Sequence, residues 1–121
     1  MGKIKGLGYA AIFTDAFAKT YDFYSDKLGF STEWSDKKKM AMLSAGTFKI
    51  FIHPKRSKTK TKAADFHLHL LVDNADAFFK RLKEKKVKLP KSPKSTSWGY
   101  RTFHVKDPNG IEWEFYHQEK R

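Results

Sequence analysis

Apolar positions along this chain follow first one period and then another, and the whole sequence of periods occurs twice. Residues 7–14 form a short apolar run suited to a buried strand. Asp15 follows as a candidate helix N-cap, whose carboxylate can accept backbone N–H bonds. Phe17, Tyr21, Tyr24 and Leu28 then recur at spacings of four, three and four, which is one face of a helix. Gly29 is placed to end that helix as a left-handed C′ residue. Residues 30–34 predict a strand and 35–39 a charged hairpin loop. Residues 40–45 and 47–53 predict two more strands that turn at Gly46.

Residues 54–62 carry Lys, Arg, Ser and Thr behind a single Pro, and read as a basic linker. The pattern then restarts. Residues 66–72 predict a strand, and Asp73 or Asn74 caps a helix whose apolar face is Phe78, Phe79 and Leu82. That helix runs out near Lys86. Residues 87–89 predict a short strand and 90–97 a loop. The chain closes with a hairpin around Asp107-Pro108-Asn109-Gly110, where Pro108 presets φ and Gly110 accepts a positive φ. Each half is therefore strand–helix–strand–strand–strand. The expected fold is α+β: one domain of two tandem βαβββ modules, 1–55 and 64–121, joined by the linker 54–62. Their eight strands would form a curved sheet or cleft.

Composition narrows the function classes. At 121 residues the chain is one unit with room for a real core. It has no cysteine, which excludes disulfides, thiolate metal sites and a cysteine nucleophile. No apolar stretch reaches the ~20 residues of a membrane span, and no signal-length apolar run opens the chain, so a cytoplasmic protein is expected. The net charge is +12, with lysines concentrated in 37–39, 55–62 and 80–94. Basic segments beside aromatic residues can bind nucleic acid. These lysines, however, fall in loops and on the outer face of a helix, without a nucleic-acid motif, and a solvated basic surface is the expectation.

The chemistry is concentrated in the second half. In the strand 66–72, His67 and His69 share one side while Leu68, Leu70 and Val72 share the other. In the last strand Ile111, Trp113 and Phe115 alternate with Glu112, Glu114 and Tyr116. A carboxylate among aromatic residues is costly to bury without a partner. Glu114 has two readings: it accepts a hydrogen bond from His67 and fixes both side chains, or it acts as a general base or metal ligand.

Three segments resemble the vicinal oxygen chelate superfamily, which includes glyoxalase I, bleomycin resistance proteins, extradiol dioxygenases and fosfomycin resistance enzymes. They are Phe23-Tyr24-Ser25-Asp26-Lys27-Leu28-Gly29-Phe30, Val72-Asp73-Asn74-Ala75-Asp76-Ala77, and the ending from Trp98-Gly99 through Phe115. The resemblance implies half-barrels that form a cleft, often completed across a homodimer. It also implies metal ligands at matching places on the first and last strand of each half. Here those places fall on Gly8 and Ile50 (or, one residue either way, Lys49 or Phe51) in the first half, and on His67 and Glu114 in the second; none of the first-half residues offers ligand chemistry. Two donors are an incomplete set, since a catalytic metal site normally has three protein ligands. His69 is a substitute third. Trp98, Tyr100 and Arg101 fall where the family often meets its ligands, and Trp34 and Phe48 are expected to line the same cavity from the first half. Tyr9, Phe13, Phe17 and Tyr21 read as core.

The leading expectation is a homodimer that binds an aromatic or heterocyclic small molecule in its cleft without a complete metal site. Its contacts would come from Trp34, Phe48, His67, His69, Trp98, Tyr100, Arg101, Glu112 and Glu114. Bleomycin is cationic, so a strongly basic protein points instead to a neutral or anionic compound. The alternative is a metal-dependent lyase, isomerase or thiol transferase that uses a divalent metal on His67 and Glu114.

Overall fold

The computed structural model describes residues 2–36, 38–55 and 68–119. The chain divides into two compact units at residues 60 and 61. Each contains one four-stranded sheet with a helical segment on one face.

In the first unit, strands β1 (Ala10–Thr14), β2 (Ser31–Ser35), β3 (Ala41–Ala45) and β4 (Phe48–Pro54) are ordered β1-β4-β3-β2. β1 runs parallel to β4 and the other pairs are antiparallel. Helix α1 (Phe17–Asp22) connects β1 to β2 and continues as a π-helical turn, Phe23–Lys27. Alternation along β4 sorts its residues. Ile50 and Ile52 are fully buried, and the core they join includes Ile12, Tyr24, Leu28, Phe30 and Leu43. Gly29 ends the helical segment as expected: its φ is 84°, and the Phe30 N–H returns to the Tyr24 carbonyl at 2.8 Å.

Two expectations for this unit change. β1 begins at Ala10, so residues 7–9 precede it. Asp15 is not the cap either. Ala16 occupies that position without a side-chain bond. The Thr14 hydroxyl accepts the Ala16 N–H at 2.9 Å and lies 3.3 Å from the Thr20 hydroxyl, which donates to the Ala16 carbonyl at 2.8 Å. Thr14 ends β1 on its buried face, so its hydroxyl already points at the start of the helix, while Asp15 is exposed.

The second unit repeats the plan. Strands β5 (Leu68–Leu71), β6 (Lys94–Ser95), β7 (Tyr100–Lys106) and β8 (Glu112–Gln118) are ordered β5-β8-β7-β6, with β5 parallel to β8. Helix α2 (Ala75–Glu84) is capped by Asn74, whose side chain accepts the Ala77 N–H at 2.9 Å. A second donor at this helix start, the Ala75 N–H, is taken by Nδ1 of His117 on β8 at 2.7 Å. Phe78 packs 4.9 Å from Phe115, and Phe79 meets Phe103 edge-on at 5.2 Å. Trp113 and Leu82 complete a core with no exposed surface of their own.

The sixth strand lies at 94–95, not at 87–89. Lys86 adopts a left-handed φ of 62° and the Val87 N–H returns to the Leu82 carbonyl at 3.1 Å. Those residues are used to wrap the helix end, and Pro90 then leads the chain to the sheet edge. The expected linker 54–62 lies, beyond Lys55, outside the described residues.

Candidate functional site

The closing hairpin sets the site. Asp107 is buried, and its Oδ1 accepts the N–H groups of Asn109 and Ile111, both at 2.8 Å. Its own N–H meets the Ile111 carbonyl at 2.8 Å, and Gly110 takes a φ of 86°. This turn locks the register, so His104 stands opposite Glu114. On the other side of β8, His69 of β5 also pairs with Glu114. Three neighbouring strands thus place His69, Glu114 and His104 in one row on the sheet face that α2 leaves open.

The side chains meet. His69 Nδ1 is 3.0 Å from Glu114 Oε2, and His104 Nδ1 is 3.3 Å from Glu114 Oε1. His104 Nδ1 is also 3.6 Å from Glu112 Oε1. The Glu114 side chain is only 15% exposed, while both imidazoles are about half exposed at 50% and 51%. The half-buried carboxylate is therefore held between two rings that open to solvent. The Thr102 hydroxyl on the same strand as His104 donates to the Phe115 carbonyl at 3.0 Å. Further along, the Tyr100 and Tyr116 rings pack 4.8 Å apart. A cavity of about 460 Å³ opens here, bounded by Trp98, Thr102, His104 and Glu114 and by the edge residues Pro90 and Lys94. A second cavity of about 590 Å³ lies beside it, bounded by Lys88, His104, Lys106 and Glu112. His104 borders both.

The other candidates fall in several places. Trp98 is 66% exposed and walls the smaller cavity. Arg101 points the opposite way. Its guanidinium pairs with Asp76 of α2 through Nε and Nη2, at 3.1 and 3.0 Å, and reaches the Ser95 hydroxyl at 3.2 Å. It ties helix to sheet, because odd-numbered positions of β7 face α2. The two bonds hold the Asp76 carboxyl below its usual range and raise the Arg101 guanidinium. Phe48 lies on the core side of the first sheet, 6.2 Å from Phe30. Trp34 lies on the open side of that sheet, 5.8 Å from Phe51. Tyr9 and Phe13, expected in the core, are 52% and 42% exposed. His67 lies outside the described residues.

A family model described as the Glyoxalase/Bleomycin resistance protein/Dioxygenase superfamily matches residues 6–115. The chain belongs to this superfamily. Solved structures of similar fold include a lactoylglutathione lyase from Agrobacterium tumefaciens, 13% identical with a TM-score of 0.74, covering 95% of each chain. A superfamily protein from Nocardioides is also 13% identical, with a TM-score of 0.79 over 99% of this chain and 87% of its own. Another, from Sphaerobacter thermophilus, is 20% identical, with a TM-score of 0.75 over 95% of this chain and 98% of its own. No curated protein matches the sequence.

Metal ligation in this superfamily would draw on matched strand positions in the two modules, and the registers correct which positions match. Thr14 and Val72 both stand three residues before their helix, so Phe13, paired with His53, corresponds to Leu71, paired with Tyr116. Counting back, Glu114 corresponds to Phe51, not Ile50, and His67 to Tyr9, not Gly8. Ile50 is buried in the core, and Gly8 precedes β1 with open space around it. Tyr9 and Phe51 form an edge-on ring pair at 5.9 Å. Among the described residues no three His, Asp or Glu side chains converge to hold a metal ion. The residue that sequence reasoning missed is His104. Its signal was present, since counting three residues outward from each side of a 107–111 turn sets 104 against 114.

Proposed function

We propose that this superfamily member binds a neutral or anionic aromatic or heterocyclic small molecule on the open face of its second unit. The observation that carries the reading is the cavity of about 460 Å³ where Trp98 and the His104–Glu114 pair converge. It has features of a small-molecule pocket: modest volume, an aromatic wall and polar side chains that can orient a ligand. Both Glu114 oxygens already face an imidazole, which suits an anchor better than a vacant ligand. Tyr100, Glu112 and His69 extend the same face, and His67 is proposed to join it. Calorimetric titration of the full chain with a panel of neutral, anionic and cationic aromatic compounds tests this. Saturable binding of the first two classes is the expected result, and binding by none of the three overturns it.

The second reading is a metal-dependent lyase, isomerase or thiol transferase acting through His67 and Glu114. The imidazole–carboxylate–imidazole row favours it, because a modest rotation of either ring would release donor atoms. Elemental analysis after dialysis against Zn²⁺, Ni²⁺ or Mn²⁺ decides. One equivalent retained in the parent and lost in Glu114→Ala supports this reading, and no retention removes it.

A further inference from the structure

We propose that this face selects aromatic molecules that carry a hydrogen-bond donor, a phenolic O–H or a heterocyclic N–H, and seats that donor on Nε2 of His104. The inference rests on the binding reading above and adds the ligand's chemical class. It follows from how the two carboxylates treat the ring. Glu114 Oε1 and Glu112 Oε1 lie 3.3 and 3.6 Å from the same atom, His104 Nδ1. An ionised carboxylate only accepts hydrogen bonds, so the ring hydrogen belongs on Nδ1. In the neutral ring Nε2, on the far edge, then carries the lone pair and accepts. His69 is held in the same sense, with its Nδ1 3.0 Å from the other oxygen of Glu114.

Position makes the lone pair usable. His104 borders both cavities of this face and its side chain is half exposed. Thr102, the nearest hydroxyl on the same strand, is committed to the Phe115 carbonyl at 3.0 Å. The exposed Trp98 indole supplies a planar wall for an aromatic body whose polar atom reaches His104. A ligand of the same shape without the donor keeps the wall and forfeits the bond.

The test uses the full chain and two matched pairs: 2-naphthol against 2-methoxynaphthalene, and indole against 1-methylindole. Calorimetry should give about three- to tenfold tighter binding of each donor than of its methylated partner, the span of one neutral hydrogen bond. In His104→Ala that ratio should collapse to near one. Glu114→Gln keeps the shape but offers an amide that can donate to Nδ1, so the ratio should shrink there too. Equal affinity within both pairs overturns the inference and leaves the binding reading intact. Donor preference that persists in His104→Ala also overturns it. Binding by none of the four compounds counts against both.

Discussion

Two tryptophans in the second unit show how little residue type says about role without burial. Trp113 has no exposed surface and sits in β8 beneath α2, whereas Trp98 is 66% exposed at the cavity wall. Trp113→Ala should cost about 3–5 kcal/mol, because it removes a large buried side chain and leaves a void. Trp98→Ala should change stability by no more than about 0.5 kcal/mol and weaken ligand binding instead. Denaturant unfolding of both variants, alongside calorimetry on the second, separates the roles; a large loss of stability in Trp98→Ala would contradict this assignment. Glu114 has mixed character. Its strand's alternation was readable from sequence, but the identity of its partners depended on two other strands.

At the scale of elements, the ends of α2 make the most specific predictions. Lys86 holds a left-handed φ of 62° that a side chain disfavours, so Lys86→Gly should stabilise the chain by about 0.5–1 kcal/mol. Asn74→Ala should cost about 1 kcal/mol, since it removes the acceptor for the Ala77 N–H. A melting temperature that falls in the first or holds in the second would refute the respective account. Acid should loosen the clamp between α2 and β7. Arg101 depresses the folded-state pKa of Asp76, so the pair's contribution is present above the ordinary carboxylate range. It is lost as pH falls through the lowered value, below about pH 4. The acid limb of a stability–pH curve should therefore flatten in Asp76→Asn relative to the parent.

Elements with strong local signals were legible in the sequence, including the two helices, the Gly29 stop, the Asn74 cap and the closing turn. Those that failed depended on neighbours. Residues 87–89 have strand-like composition, yet the helix end consumed them, and the two-residue β6 exists only because β7 offers an edge. Thr14 displaced Asp15 as the helix-start acceptor because strand geometry had already aimed its hydroxyl. Arg101 carries charge suited to a ligand, but strand parity turned it toward Asp76. His104 went unremarked because a lone histidine in a strand gives no signal until its register is counted.

For the whole molecule, the homodimer is a prediction to be tested on the first unit. Tyr9, Phe13 and Trp34 are large side chains left exposed there, at 52%, 42% and 48%. Patches of that kind mark interaction surfaces more often than chance exposure. Light scattering during gel filtration should report twice the chain mass, and Trp34→Lys should shift it toward the monomer; a monomeric parent would refute the dimer. The +12 charge bears on partners rather than fold. It favours anionic ligands, and weakly bound ones should dissociate as salt rises.

By itself the sequence determined that two like modules follow one another, that Trp113 and Phe115 face the core of the second, and which superfamily ending closes the chain. These depend on periodicity and turn chemistry, which act over a few residues. Tertiary structure alone decided that Glu114 belongs to His69 as well as to its hairpin partner His104, that Phe51 rather than Ile50 is its first-module counterpart, and that Arg101 serves the helix. Those facts depend on which strands lie side by side and in what register. Pairing between strands tens of residues apart is set by the packing of the whole sheet against its helix, and no local pattern encodes it.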